Sequence, residues 1–249
     1  MYTRNPKDRR RSEFLVTESS RHKSDGRIVR EYFDERILLM DDCQISVNTF
    51  DKAAETYVQK YFDSDLYNDS YRIFCSKITK KGGSVLDVAC GPGNVANFIV
   101  RERPDLNVTG IDLAPHMIQM AISLVPKAKF LIHDCRKLPA LGESYDGIAY
   151  AFGLNYLNQD DAEQMFDSIS KVLVAKGTLY LSASLGDAEK SGLHTTSNGN
   201  QIYAYYRSRL EVERLVTRAG MTPVYVQEIA SPANAPIPTT DLVLVACRG

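Results

Sequence analysis

The sequence predicts an α/β fold in which helices cover both faces of a largely parallel sheet. From Ser84 onward, short apolar runs alternate with helically spaced ones. The first of these runs, Val85 to Val88, enters a glycine turn that opens a helix. The last two strand-like runs are joined only by Ser231 to Pro238, too short for a crossover helix, so they form an antiparallel pair at the sheet edge.

Taken in order, residues 1–45 read as an N-terminal extension to a domain spanning 46–249. Arg4, Lys7, Arg9, Arg10 and Arg11 stand against Asp8 alone, which makes a solvated basic tail; an RNA-binding arm is the sharper alternative. Ile28, Val29, Tyr32, Phe33, Ile37 and Leu38 have helical spacing over 27–40. Helices follow over about 51–61 and 69–78, and Lys80-Lys81-Gly82-Gly83 then punctuates the chain. Strands are predicted over 84–89, 107–111, 128–133, 147–151 and 178–183, with helices over 95–102, 115–124 and 160–173 between them. A helix over 209–219 stops at Gly220, and strands over 223–229 and 241–246 finish the sheet.

A chain of 249 residues, 44% apolar and 24% charged, can bury a sizeable core. Its net charge of −1 argues against a protein whose main work is neutralising nucleic-acid phosphates. Cys43, Cys75, Cys90, Cys135 and Cys247 lack zinc or redox-dithiol spacing and suit a reducing cytosol. No apolar run approaches membrane length, and the N-terminus has no apolar signal segment. The expectation is a cytoplasmic protein without a membrane or metal partner, whose N-terminal extension offers a surface for a homodimer.

The densest signal is Asp87-Val88-Ala89-Cys90-Gly91-Pro92-Gly93-Asn94-Val95-Ala96. Gly91 and Gly93 let the backbone approach a ligand. Asp112 ends the second strand about twenty residues on, where a carboxylate can accept from both ribose hydroxyls. Gly91-x-Gly93-x-x-Ala96 also satisfies the loose dinucleotide fingerprint, so a nicotinamide cofactor competes with S-adenosylmethionine. Asp87 tilts the choice, because a carboxylate there suits a cationic amino acid and repels a pyrophosphate. Asp134, after the third strand, is placed to accept from an adenine amino group. The antiparallel closing pair points the same way.

Residues about 50–247 resemble a class I S-adenosylmethionine-dependent methyltransferase. Four stretches carry the resemblance: the turn from Asp87 to Gly93; Gly110-Ile111-Asp112-Leu113-Ala114-Pro115-His116-Met117; Asp134 to Pro139 followed by Tyr145-Asp146; and Leu173 to Ala183. Arg218-Ala219-Gly220 adds to them, while Ala89 departs from the family's usual glycine. The resemblance implies a Rossmann-like seven-stranded sheet, order 3-2-1-4-5-7-6, with strand 7 antiparallel. It also implies that Gly91 and Gly93 approach the methionine part, with Asp112 on the ribose and Leu113 and Met117 near the adenosine. Asp134 and Cys135 would meet adenine, Ala151 and Phe152 would line the site, and Tyr57 would lie across the cofactor. Plainer readings stand beside these. Leu113, Met117 and Tyr57 could be core, Cys135 a small buried residue, and Asp134 a turn cap.

Methyl transfer from a sulfonium needs alignment more than a dedicated base, so the acceptor side is weakly marked. The segment from Ser184 to Tyr206 reads as a lid or pocket wall. His194 is the candidate proton acceptor, with Tyr205 and Tyr206 flanking a small-molecule acceptor whose reacting atom (O, N or C) is open. A non-catalytic S-adenosylmethionine-binding module and an RNA or protein methyltransferase are the competing readings.

Overall fold

The computed structural model describes residues 41–196, 199–230 and 239–249. The basic tail, the helical spacing over 27–40 and the loop 231–238 lie outside the described residues.

Helix α1 (Asp42–Lys52) begins at Asp41, whose side chain accepts from the Cys43 N–H at 3.0 Å. It runs across the boundary expected at residue 45. After a break at Ala53, α2 (Ala54–Tyr61) and α3 (Asn68–Lys77) follow. The alternating part comprises β1 (Ser84–Val88), α4 (Asn94–Glu102), β2 (Asn107–Asp112), α5 (Pro115–Leu124), β3 (Lys129–Ile132), β4 (Tyr145–Ala151), α6 (Gln159–Val172) and β5 (Leu173–Leu185). A hairpin of β6 (Gly192–Thr195) and β7 (Gln201–Ala204) then leads to α7 (Arg209–Arg218), β8 (Met221–Ala230) and β9 (Thr240–Arg248). Ser208 and Glu211 form a reciprocal cap that starts α7, and Gly220 stops it at φ +79°.

The sheet order is β3-β2-β1-β4-β5-β9-β8, with β9 antiparallel to both neighbours. This is the expected 3-2-1-4-5-7-6 arrangement. The order reverses between β1 and β4, so the loops at their carboxyl ends splay apart and open a crevice. The strand pleat sorts the core into two layers. Leu86 and Val88 of β1 pack with Ile148, Leu181 and Leu244 on the side covered by α6 and α7. Val85 packs with Val108, Ala149 and Val243 on the side of α3 and α4. Fully burying a side chain such as Leu86 is worth roughly 2 kcal/mol.

No helix among the described residues is long and apolar enough to cross a membrane.

Candidate active site

A cavity of about 130 Å³ opens at the carboxyl ends of β1, β2 and β4. Its floor is the bend after β1. Ala89 and Gly91 both turn left-handed there, at φ +51° and +52°. A Cβ on Gly91 would meet nothing within 4 Å, so the backbone itself forms that wall. Ala89 holds a dihedral that costs a non-glycine residue about 1 kcal/mol, and its methyl sits where Gly153 has no side chain; a Cβ on Gly153 would come within 2.9 Å of it. Phe152, at φ +59°, is the third strained position around the bend. Of the three non-glycine residues with positive φ among the described residues, two line this cavity and only Lys176 does not.

Asp112 lines the cavity at the end of β2. One carboxylate oxygen accepts from the Gly91 N–H at 2.8 Å and the other from the Ala114 N–H at 2.9 Å. Burial pushes its carboxyl above the ordinary value, and these backbone bonds pull it back. Both oxygens keep lone pairs free for a ligand. Leu113, Met117 and Cys135 extend the wall towards β3, and Ala151, Gly153, Tyr156 and Leu157 towards β4. Tyr57 covers the opening from α2. Burial raises its phenol to about 12, so it stays a neutral donor.

Three of the expected cofactor-binding residues lie outside the cavity lining, each for a local reason. Asp87 follows Leu86 in the pleat and points to the α4 side, where it is 1% exposed and accepts from the Ala96 N–H at 2.9 Å. Gly93, the residue before α4, has no side chain to cap the helix, so Asp87 does so from the sheet. Gly93 itself is needed for packing, since a Cβ there would come within 3.1 Å of Val125 and 3.2 Å of Phe130. Asp134 is taken by Arg136, through a turn bond to its N–H at 2.9 Å and an ion pair at 2.9 Å. That pair holds the Asp134 carboxyl below its usual value against the opposing effect of burial. Arg136 also grips Asp41 and Asp161.

His194, Tyr205 and Tyr206 do not reach the cavity either. His194 Nε2 lies 3.0 Å from the Lys190 carbonyl, and its ring meets Tyr206 edge-on. The Tyr205 hydroxyl donates to Asp42. The hairpin is therefore no pocket wall; it braces α1 from behind. Ser46 Oγ bonds both the Tyr203 carbonyl and its N–H at 2.9 Å, and Thr49 donates to the Gln201 carbonyl.

The wall on that side is α1 itself, through Cys43, Ser46, Val47 and Phe50. These positions recur at i, i+3, i+4 and i+7, one helical face. That signal was present in the sequence but lay across the assumed boundary at 45. Asp51, which reads as a helix start, instead ends α1 and accepts from the backbone N–H of His116 at 2.7 Å, at the start of α5.

The turn after β4 is fixed by Arg207, which is 6% exposed and donates to the carbonyls of Leu154, Leu157 and Asn158 at 3.0, 2.7 and 3.1 Å. Burial lowers its pKa from the ordinary arginine value. Arg207→Met removes these three bonds, after which the Leu154 and Asn158 carbonyls keep backbone donors in the Leu157 and Ala162 N–H groups, and is expected to cost about 2 kcal/mol of stability in urea unfolding. Unchanged stability would mean that solvent replaces those bonds.

Comparison with known proteins now bears on this geometry. Residues 85–177, which hold the bend, Asp112 and β4, match the model of a methyltransferase domain. Over that stretch the chain is similar to a methyltransferase domain. A demethylmenaquinone methyltransferase of Thermotoga maritima is 31% identical over 122 residues, covering 49% of this chain and 50% of that one. The chain thus spans about half the length of the curated relatives it matches. The fold recurs in the magnesium protoporphyrin IX methyltransferase of Synechocystis, with TM-score 0.65 and 15% identity over 84% of this chain and all of the other. It recurs again in 1,6-didemethyltoxoflavin-N1-methyltransferase of Burkholderia thailandensis, with TM-score 0.61 and 20% identity over 90% and 93% of the two chains.

Proposed function

We propose that this chain transfers a methyl group from S-adenosylmethionine to a small-molecule acceptor. One observation carries the reading: the Asp112 carboxylate and the left-handed bend at Gly91 share one cavity and are bonded to each other. That combination suits a nucleoside with a free cis-diol and a tail that runs along exposed backbone. Asp112 accepts from the ribose hydroxyls, Leu113 and Met117 border the base, and Cys135 closes its far side. Asp134 serves this end indirectly, by holding Arg136. Asp87 lies beneath the bend with its Oδ1 buried and unpartnered, so a cationic tail above it would favour the ionised form that burial disfavours.

S-adenosylmethionine supplies a methyl on a positively charged sulfur, a good leaving group. The chain's share is to hold the acceptor in line with that methyl and to exclude water, which Tyr57, Phe50 and the turn after β4 are placed to do. A cavity of about 130 Å³ is smaller than the ~300 Å³ or more of typical ligand pockets. Admitting both ligands therefore needs the cavity to widen, and α1 and α2 form its outer wall.

Isothermal calorimetry tests this directly. Both S-adenosylmethionine and S-adenosylhomocysteine are expected to bind with micromolar Kd, and NAD(H) not at all. Absence of both sulfur nucleosides from the titration, or protection by NAD(H), would overturn the reading.

A further inference from the structure

On the methyl-transfer reading, the side of the cavity beyond the bend belongs to the acceptor, and its chemistry is unusually uniform. Phe50 and Tyr156 meet edge to face with ring centroids 4.9 Å apart, and Phe50 meets Tyr57 at 6.3 Å and 82°. Phe152 stands beside them with its ring against Tyr67 at 5.3 Å. No lysine or arginine lines the cavity among the described residues, and its acidic residue, Asp112, sits at the opposite, β2 end. An anionic acceptor would lose its hydration there with no lysine or arginine among the lining residues to offset it, His133 lying towards β3, at a cost of several kcal/mol when the cofactor's sulfur is uncharged.

The polar groups on this side are few. Ser46 Oγ is spent on the backbone of Tyr203. The Tyr156 hydroxyl makes no hydrogen bond to any described residue, although its ring lines the cavity. Burial, with Tyr57 next, raises its pKa above the ordinary phenol value, so it is a neutral O–H throughout the working range. Its backbone is held by the turn that Arg207 fixes, and the neighbouring Asn155 carbonyl accepts from the Tyr205 N–H at 2.7 Å. A hydroxyl so placed, with no partner among the described residues, is pre-positioned for a ligand.

We infer that the acceptor is a flat, uncharged, conjugated molecule bearing an oxygen, seated among Phe50, Phe152 and Tyr156 and oriented by a hydrogen bond to the Tyr156 hydroxyl. Aromatic side chains packed edge to face form a continuous wall against which a planar ring can stack or set its edge. Tyr156 is a positioning and specificity residue, one that selects the oxygen-bearing ring over a plain hydrocarbon.

The test uses the full chain saturated with S-adenosylhomocysteine and three probes in calorimetry: 2-naphthol, naphthalene and tricarballylate. 2-Naphthol is expected to bind more tightly than naphthalene, and tricarballylate not to bind. Tyr156→Phe is expected to weaken 2-naphthol by about 3–10-fold, to leave naphthalene unchanged and to keep S-adenosylhomocysteine within twofold. Tricarballylate binding as well as 2-naphthol, or equal affinities for the two naphthalenes in the wild type, overturns the inference without any variant. If S-adenosylhomocysteine binds and no flat probe does, this inference alone falls. If S-adenosylhomocysteine itself fails to bind, the methyl-transfer reading falls and takes this one with it.

Discussion

Asp112→Ala is expected to weaken S-adenosylhomocysteine binding by at least about 100-fold, the largest change in affinity expected from any single substitution at this site. A carboxylate that accepts from two ribose hydroxyls makes two charge-assisted hydrogen bonds, each worth about 1.5–3 kcal/mol. Losing both removes roughly 3 kcal/mol, and every 1.4 kcal/mol is tenfold. The carboxylate has a second task in this chain. Its bonds to Gly91 and Ala114 tie the bend after β1 to the start of α5. Alanine therefore also frees the backbone wall that Gly91 provides. Asp112→Asn keeps one accepting oxygen and is expected to fall between, near tenfold. Calorimetry on the three proteins separates these effects, and circular dichroism confirms that each is folded. Binding of the alanine variant within threefold of wild type would remove Asp112 from the ligand and the proposed function with it.

Most of the architecture was legible because its signals are local. Each strand from 84 onward is a short apolar run, each helix has 3.6-residue spacing, and the eight-residue link between the last two strands excludes a crossover. The bend after β1 was legible for the same reason, since small residues cluster where backbone must approach a ligand. What the pattern concealed was direction. Asp87 and Asp112 look alike in sequence, two carboxylates flanking a glycine turn. The pleat sends one beneath α4 and leaves the other on the cavity. Asp134 is a turn cap paired with Arg136, a partnership two residues apart that requires the loop to fold back. The α1 wall of the cavity was hidden by a boundary inside that helix, while the Ser184–Tyr206 segment, which reads as a wall, lies behind one by its hydrogen bonds. Such long-range brackets leave no periodic trace.

The second large effect concerns the pH dependence of stability, and it isolates Asp87. Burial pushes this carboxyl from 3.8 to about 7, against the pull of its bond to the Ala96 N–H, and Asp112 adds a smaller rise. Between those two values the folded chain holds a proton that the unfolded chain has released. Stability therefore decreases as pH rises through that window and levels off above about 7, the reverse of a salt-bridged carboxylate. A rise of roughly three pH units corresponds to about 4 kcal/mol between pH 4 and pH 8. Asp105 and Asp134, held low by Arg103 and Arg136, act in the opposite direction, adding stability above their unfolded values. Asp87→Asn removes only the first contribution, because the amide oxygen still accepts from Ala96 and carries no charge at any pH. The difference between wild type and variant in urea unfolding should then change by about 4 kcal/mol from pH 4 to pH 8, with the wild type losing ground as pH rises. Parallel profiles would mean that water or a buried cation already stabilises the ionised carboxylate. In that case the strand-to-helix cap would be an ordinary solvated one. A sloping difference would mean that the chain tolerates an ill-hydrated carboxyl under the bend, and a cationic tail lying above it would then gain from the charge it carries at neutral pH.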